Sequence, residues 1–297
     1  FFNKFLKKIE NLDKQDLFDF YYELIRRIKN KESKKKLDQI ILEIGLDRKG
    51  YATNPKLHTQ VIDLIPSEKK ALSKIISLLK KKNERIIFFD VGANIGSYTK
   101  LFCNLLPKYL DRDVWCFDPM IECIIACKKN LSMYDNINFI NLGVSEKIGK
   151  KEIFYGNELG LSSFDEDVFK LDNIGYKLQK KRMLNTITLD KFCEKEKISR
   201  INILKIDVEG FESNVLRGAK DLINDKKISC IQMEYNHHHL FKGHSIYYFS
   251  KLLQNFDIFM ISNDDDSLRK ISPSDPLDNI FIHSNFWWID KEISKLL

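Results

Sequence analysis

Two periods divide this chain. Up to about residue 80 the apolar positions recur at helical spacing; beyond it, short apolar runs alternate with helical segments. In FLKKIENLDKQDLFDFYYELIRRIKN, residues Phe5, Ile9, Leu12, Leu17, Phe20, Leu24 and Ile28 share one face, with a single phase slip. KESKKK at 31–36 reads as a solvated charge run. SEKKALSKIISLLKKK follows Pro66, with Ser67 as a natural N-cap and Leu72, Ile75, Ile76 and Leu79 on one face. The pattern then changes. RIIFFDVG (85–92), DVWCFDP (113–119), INFINLGVS (137–145), RINILKID (200–207), KISCIQMEYN (227–236), DIFMISN (257–263) and NIFIHSN (279–285) read as strands, with KKEIFYG (150–156) as a further short one. IGSYTKLFCNLL, IECIIACKKNLSMY and a stretch near 244–255 read as helices. Such alternation predicts an α/β domain: a mostly parallel seven-stranded sheet with helices on both faces. The predicted organisation is a helical N-terminal extension, residues 1–80, and one α/β domain, residues 81–297.

Composition narrows the class. Of 297 residues, 43% are hydrophobic and 31% charged, so the chain can build a core and is not disordered. The net charge of +7 is modest, because 42 acids nearly match 49 bases. The lysines are scattered rather than gathered into a channel with stacking aromatics, which speaks against a nucleic-acid partner. The six cysteines form no CxxC pair and sit in apolar segments, as reduced core thiols of a cytoplasmic protein do. No apolar run approaches the roughly 20 residues that span a bilayer. The first residues are too charged for a signal-peptide core. Residues 1–30 are basic and amphipathic; packing on the main domain, a homodimer contact and peripheral contact with an anionic membrane are their candidate roles.

Chemistry-bearing residues cluster at strand ends. In FFDVGANIGSYTK a strand ends at Asp90, and Gly92, Ala93, Asn94 and Gly96 turn the chain into a helix that opens with Tyr98 and Thr99. Glycines there let a ligand approach the backbone. The extra glycine of a dinucleotide loop and the Lys-Ser/Thr of a phosphate loop are both missing. An acid beside such a turn suits a ligand carrying an ammonium group and hydroxyls. The second strand ends in Asp118-Pro119, where a carboxylate can take two ribose hydroxyls; a capping aspartate is the alternative. The third ends in NLGVSEKIG, where Ser145 can flank an adenine. Together these predict an S-adenosylmethionine site across the first three strand tips. ILKIDVEGFES sets Lys205, Asp207 and Glu209 among strand-forming Ile203, Leu204, Ile206 and Val208. Charge is costly to bury without a use, so this tip, with Glu234, Asn236 and His237 after the next strand, is the candidate active-site floor.

FFDVGANIGSYT together with NILKIDVEGFESNVLRGA resembles the FkbM family of methyltransferases. The resemblance runs from about residue 85 to 235 and takes in TITLDKF (186–192) and SCIQMEY. It implies a Rossmann-like class I methyltransferase fold, S-adenosylmethionine as cofactor, and O-methylation of acceptors that include sugar hydroxyls of natural products and surface glycans. Asp118 stands where many relatives have Glu, which keeps the carboxylate.

A hydroxyl needs a base or a metal before it attacks a methyl group. The candidate catalytic residues are Asp207, Glu209, Glu234 and His237, the last drawn from a triplet, 237–239, otherwise expected in a solvated loop. Asp207 also borders the cofactor site. Asp207 with Glu234 can instead hold a divalent cation, magnesium or calcium. Lys205 shares a strand face with Asp207 and can pair with it; Glu209 can alternatively cap the helix that follows. The acidic NDDDS turn (263–267) is expected to be exposed. Tyr235, His237, Tyr247, Trp287 and Trp288 are candidates for lining a sugar site, with core packing as the alternative. Two other functions compete: an RNA or DNA methyltransferase, although no Asn-Pro-Pro-Tyr tetrad is present, and a non-catalytic module that keeps the fold for binding.

Overall fold

A computed structural model describes residues 33, 66–81, 85–107, 109–156, 162–165, 180–261, 268–276, 278–279 and 284–297. The predicted helices of residues 1–65 and the NDDDS turn lie outside the described residues.

The main sheet is built from β1 (Arg85–Val91), β2 (Asp111–Phe117), β3 (Ile137–Ile140), β7 (Ile201–Ile206), β8 (Ile228–Tyr235), β9 (Phe256–Ile261), β10 (Leu268–Ile271) and β11 (Ser284–Asp290). Its order is β10-β9-β11-β8-β7-β1-β2-β3. β3, β2, β1, β7 and β8 pair in parallel. β11 is wedged antiparallel between β8 and β9, and β10 adds an antiparallel edge. Among the described residues the sheet therefore has eight strands rather than seven. A second sheet, of order β4-β6-β5, joins β4 (Gly143–Val144), β5 (Gly149–Tyr155) and β6 (Lys180–Ile187).

Alternation along β1 places the two layers. Phe88 packs with α1 (Pro66–Leu79) and α2 (Ser97–Leu105), through Ala71, Leu72, Ile75, Tyr98 and Phe102. Phe89 points the other way, into a cluster with Trp115, Phe117 and Phe192 of α4 (Leu189–Glu196). Period-two alternation in a strand covered on both sides gives two opposed apolar faces. Helix α1 is thus part of the core that holds β1. Local capping starts α4: the Thr188 side chain accepts the Lys191 N–H at 3.1 Å, and Lys197 closes the helix in the left-handed region.

Two strand placements change. The last strand is SNFWWID, residues 284–290, rather than 279–285; Trp287 and Trp288 are its fully buried centre. Being inserted between β8 and β9, this strand needs apolar side chains on both faces, which its bulky aromatic pair supplies. The run 137–145 is broken at residue 141, where the Asn141 amide donates to the carbonyls of Asp118 (3.0 Å) and Pro119 (2.9 Å). Its second half crosses into the small sheet as β4. All six cysteines are buried and unpaired. Among the described residues no helix is long and apolar enough to cross a membrane.

Candidate active site

The chain order reverses between β1 and β7, and the crevice at the carboxyl ends of their strands is where ligands enter open α/β sheets. Gly92, Asn94 and Gly96 have φ of +83°, +49° and +82°. A Cβ on Gly92 would lie 1.8 Å from the Asp207 carbonyl oxygen, so only glycine lets the tips of β1 and β7 pass. The Gly92 and Ala93 N–H groups donate to the Phe117 carbonyl at 2.9 and 3.0 Å. The Asn94 N–H donates to Asp118 Oδ2 and the Met120 N–H to Asp118 Oδ1, each at 2.9 Å. Asp118 is thereby the clasp between the first turn and the second strand tip. Burial pushes its carboxyl up to about 6, against the pull of those two N–H groups.

Gly92, Asn94, Asp118 and Pro119 line one cleft with Asp207 and Glu209, walled by Leu142, Gly143, Val144 and Phe164. Other predicted cofactor contacts do not line this cleft. Asp90 is fully buried; its Oδ2 accepts from Thr99 Oγ1 at 2.7 Å and its Oδ1 lies 3.7 Å from Lys205 Nζ. The Tyr98 hydroxyl donates to Gln232 Oε1, and burial pushes its pKa well up. Ser145 is buried with its N–H on the Ile187 carbonyl, while its neighbours Gly143 and Val144 form the wall.

The β7 tip carries the charge. Lys205 Nζ donates to Asp207 Oδ2 at 3.0 Å, the pairing expected from their shared face. Burial opposes the lysine's charge, but Asp207 and Asp90 outweigh it and raise its pKa. Burial also pushes Asp207 up to about 6, with Lys205 pulling down and Glu234 pushing up. Glu209 is raised well above the usual carboxylate range by burial and by Glu234 and Asp207. Carboxylate oxygens of Asp207, Glu209 and Glu234 all lie within 4.8 Å of one another. Three acids so close cannot all ionise freely without a cation or shared protons.

The histidine triplet is not a solvated loop. His237 opens α7 (His237–Phe241), and its side chain lies outside the described residues. His238 is buried with Nε2 3.2 Å from Glu209 Oε2. His239 is fully buried, stacked on Tyr235 and 2.7 Å from Glu212 Oε2. The helix that follows, Glu212–Arg217, has no side-chain cap, so Glu209 does not cap it; Glu212 Oε1 instead accepts the N–H groups of Val208 and Gly210, in the turn before that helix, at 3.1 and 3.3 Å. Sequence reasoning missed Glu212, which lies in the polar stretch EGFESN with no local signal to single it out, and placed His239 only within a triplet expected to be mostly solvated. Trp287, Trp288 and Tyr235 are core residues, whereas Tyr247 is exposed.

The cleft fits S-adenosylmethionine. Each Asp118 oxygen keeps a lone pair beyond its backbone bond, the Gly92 turn admits close approach, and among the described lining residues there is no lysine or arginine to hold a phosphate.

The strand order and the acidic tips at the carboxyl ends of β1, β2 and β7 define a Rossmann-like class I methyltransferase, dependent on S-adenosylmethionine. Residues 90–266 match the family described as the methyltransferase FkbM domain, and the chain belongs to that family. The chain is 27% identical over 191 residues to 2-O-methyltransferase NoeI of Sinorhizobium fredii, covering 60% of this chain and 73% of that protein. Solved structures similar to it include a precorrin-6y C5,15-methyltransferase from Geobacter metallireducens (9% identity, 82% of this chain and 96% of that one, TM-score 0.40). Another is an S-adenosylmethionine-dependent O-methyltransferase from Thermotoga maritima (8% identity, 78% of this chain and 68% of that one, TM-score 0.38).

Proposed function

We propose that this enzyme methylates a sugar hydroxyl of a glycan or nucleotide-linked sugar. The observation that carries this is a single cleft joining the glycine turn and Asp118 to Asp207 and Glu209, with Glu234 completing the carboxylate cluster. The similarity to a 2-O-methyltransferase supports oxygen as the atom methylated. When bound, S-adenosylmethionine supplies an electrophilic methyl group. Asp118 takes the ribose hydroxyls, and the turn at Gly92–Gly96 receives the rest of the cofactor. Asp207 accepts the proton that the acceptor hydroxyl gives up as it attacks; a carboxyl raised to about 6 is ionised at neutral pH yet more basic than a free aspartate. Glu209 and Glu234 orient the hydroxyl. The second role for the cluster, holding a magnesium or calcium ion through Asp207 and Glu234, is favoured by the same short spacing.

The test is transfer of label from methyl-labelled S-adenosylmethionine to a panel of methyl glycosides of hexoses, 6-deoxyhexoses and N-acetylhexosamines, and to transfer RNA. Label is expected on a saccharide. Robust turnover on transfer RNA with none on any saccharide overturns the assignment. Residues 1–30 are proposed for membrane or homodimer contact, to be checked by vesicle flotation and light scattering. A cytoplasmic location is supported by six buried, unpaired cysteines.

A further inference from the structure

Behind the carboxylate cluster lies a buried polar layer that neither cofactor nor acceptor binding uses. Glu212 and His239 have no exposed surface. Glu212 Oε1 accepts the N–H groups of Val208 (3.1 Å) and Gly210 (3.3 Å), the two neighbours of Glu209. Glu212 Oε2 meets His239 Nε2 at 2.7 Å. On its other side, His239 Nδ1 accepts the Asn236 N–H at 3.1 Å, and the Asn236 amide donates to Glu234 Oε2 at 2.9 Å. Polar contacts alone therefore run from the backbone around Glu209, at the tip of β7, to the carboxylate of Glu234, at the tip of β8.

Two facts set this layer apart from ordinary packing. With Nδ1 accepting, His239 is a neutral imidazole beside a buried carboxylate; replacing such a buried charge and its partner by apolar residues of the same volume is often neutral or stabilising, so stability is a weak account of this layer. Glu209 also holds φ of +51°, a conformation that costs a non-glycine residue on the order of 1 kcal/mol and persists only where its surroundings impose it. The two N–H groups gripped by Glu212 flank that residue. The imposed conformation carries the Glu209 carboxylate to His238 Nε2 (3.2 Å) and into the cluster with Asp207 and Glu234.

We infer that Glu212 and His239 are positioning residues: the pair clamps the two strand tips together and so sets the spacing of Asp207, Glu209 and Glu234. This rests on the catalytic assignment of those carboxylates made above. Neither residue lines the cleft and both are wholly buried, so neither reaches cofactor or acceptor. Displacing a reacting group by about 1 Å can cost about 100-fold in rate, which is the scale of loss expected.

The experiment compares Glu212→Gln, His239→Leu and His239→Gln with the wild type. Initial rates are measured with the methyl glycoside that accepts label in the panel, cofactor affinity by calorimetry, and carboxylate spacing in crystals of each variant, which needs no acceptor. Glu212→Gln and His239→Leu should lower kcat about 100-fold with acceptor KM and cofactor Kd within about threefold, and their carboxylate oxygens should spread beyond 4.8 Å. His239→Gln keeps a donor toward Glu212 and should recover most of the lost turnover. Should His239→Leu not fold, Glu212→Gln and His239→Gln still decide the matter. Wild-type spacing and kcat in Glu212→Gln, with only the melting temperature lowered, overturn the proposal. An Asp207→Asn variant that is itself fully active would instead strike the catalytic assignment, so the two failures are told apart.

Discussion

Asp207→Asn separates the charge of the proposed base from its shape. In the wild type the carboxylate is held 3.0 Å from Lys205 Nζ, and burial pushes its pKa up to about 6. A base must be ionised to act. With a pKa of about 6, roughly nine-tenths of the enzyme is competent at pH 7 and roughly one-tenth at pH 5. Turnover should therefore fall about tenfold per pH unit on the acid side of 6, a limb that a free aspartate would show only about two units lower. The amide keeps size and hydrogen-bonding shape and removes the proton acceptor, so kcat should drop about 10²–10⁴-fold, and the residual rate should lose that limb. Cofactor affinity should hardly change, because the ribose-facing clasp at Asp118 is untouched. The assay is label transfer at saturating cofactor from pH 5 to 8.5 for both proteins, with calorimetry alongside. Normal turnover in the Asn variant, or a wild-type profile flat down to pH 5, refutes the assignment. Activity lost to a chelator and restored by magnesium would make Asp207 a cation ligand and move the base elsewhere.

Asp118→Ala should weaken S-adenosylmethionine binding by about 2–3 kcal/mol, the scale for hydrogen bonds to a charged group; unchanged affinity in calorimetry would contradict the ribose role. The same carboxyl has a folded pKa of about 6, above its unfolded value of 3.8, so its contribution to stability is full below the lower value and lost as pH rises through the upper. In the absence of cofactor, a melting-temperature series should show that window as about 3 kcal/mol, and Asp118→Ala should flatten it. Gly92→Ala would drive a Cβ to 1.8 Å from the Asp207 carbonyl oxygen, and should abolish turnover by parting the β1 and β7 tips; retained activity would show that the tips can separate freely. Leu72→Ala, in the fully buried face of α1, should cost about 2–5 kcal/mol in denaturant unfolding, and a cost near zero would deny α1 its place in the core.

The amino-acid order by itself determined the alternating strands and helices, the parallel heart of the sheet and the tips at which chemistry sits. Those features are local: a strand declares itself by composition and length, a turn by glycine, and Lys205 beside Asp207 by a two-residue period. Only the tertiary structure decided what such periods cannot carry. Insertion of β11 between β8 and β9 moved the last strand to 284–290 and put both tryptophans in the core, because pairing partners far along the chain choose which apolar run is covered. Asp90, Tyr98 and Thr99 lie within the glycine motif, yet folding buries them away from the cleft that Gly92 and Asn94 line. The histidine triplet looked like polar loop, but docking against Tyr235 and Phe249 buried His239, and burial in turn obliged it to find Glu212. A buried charge needs a partner, and which partner lies within reach is fixed by packing between elements, not by spacing along the chain.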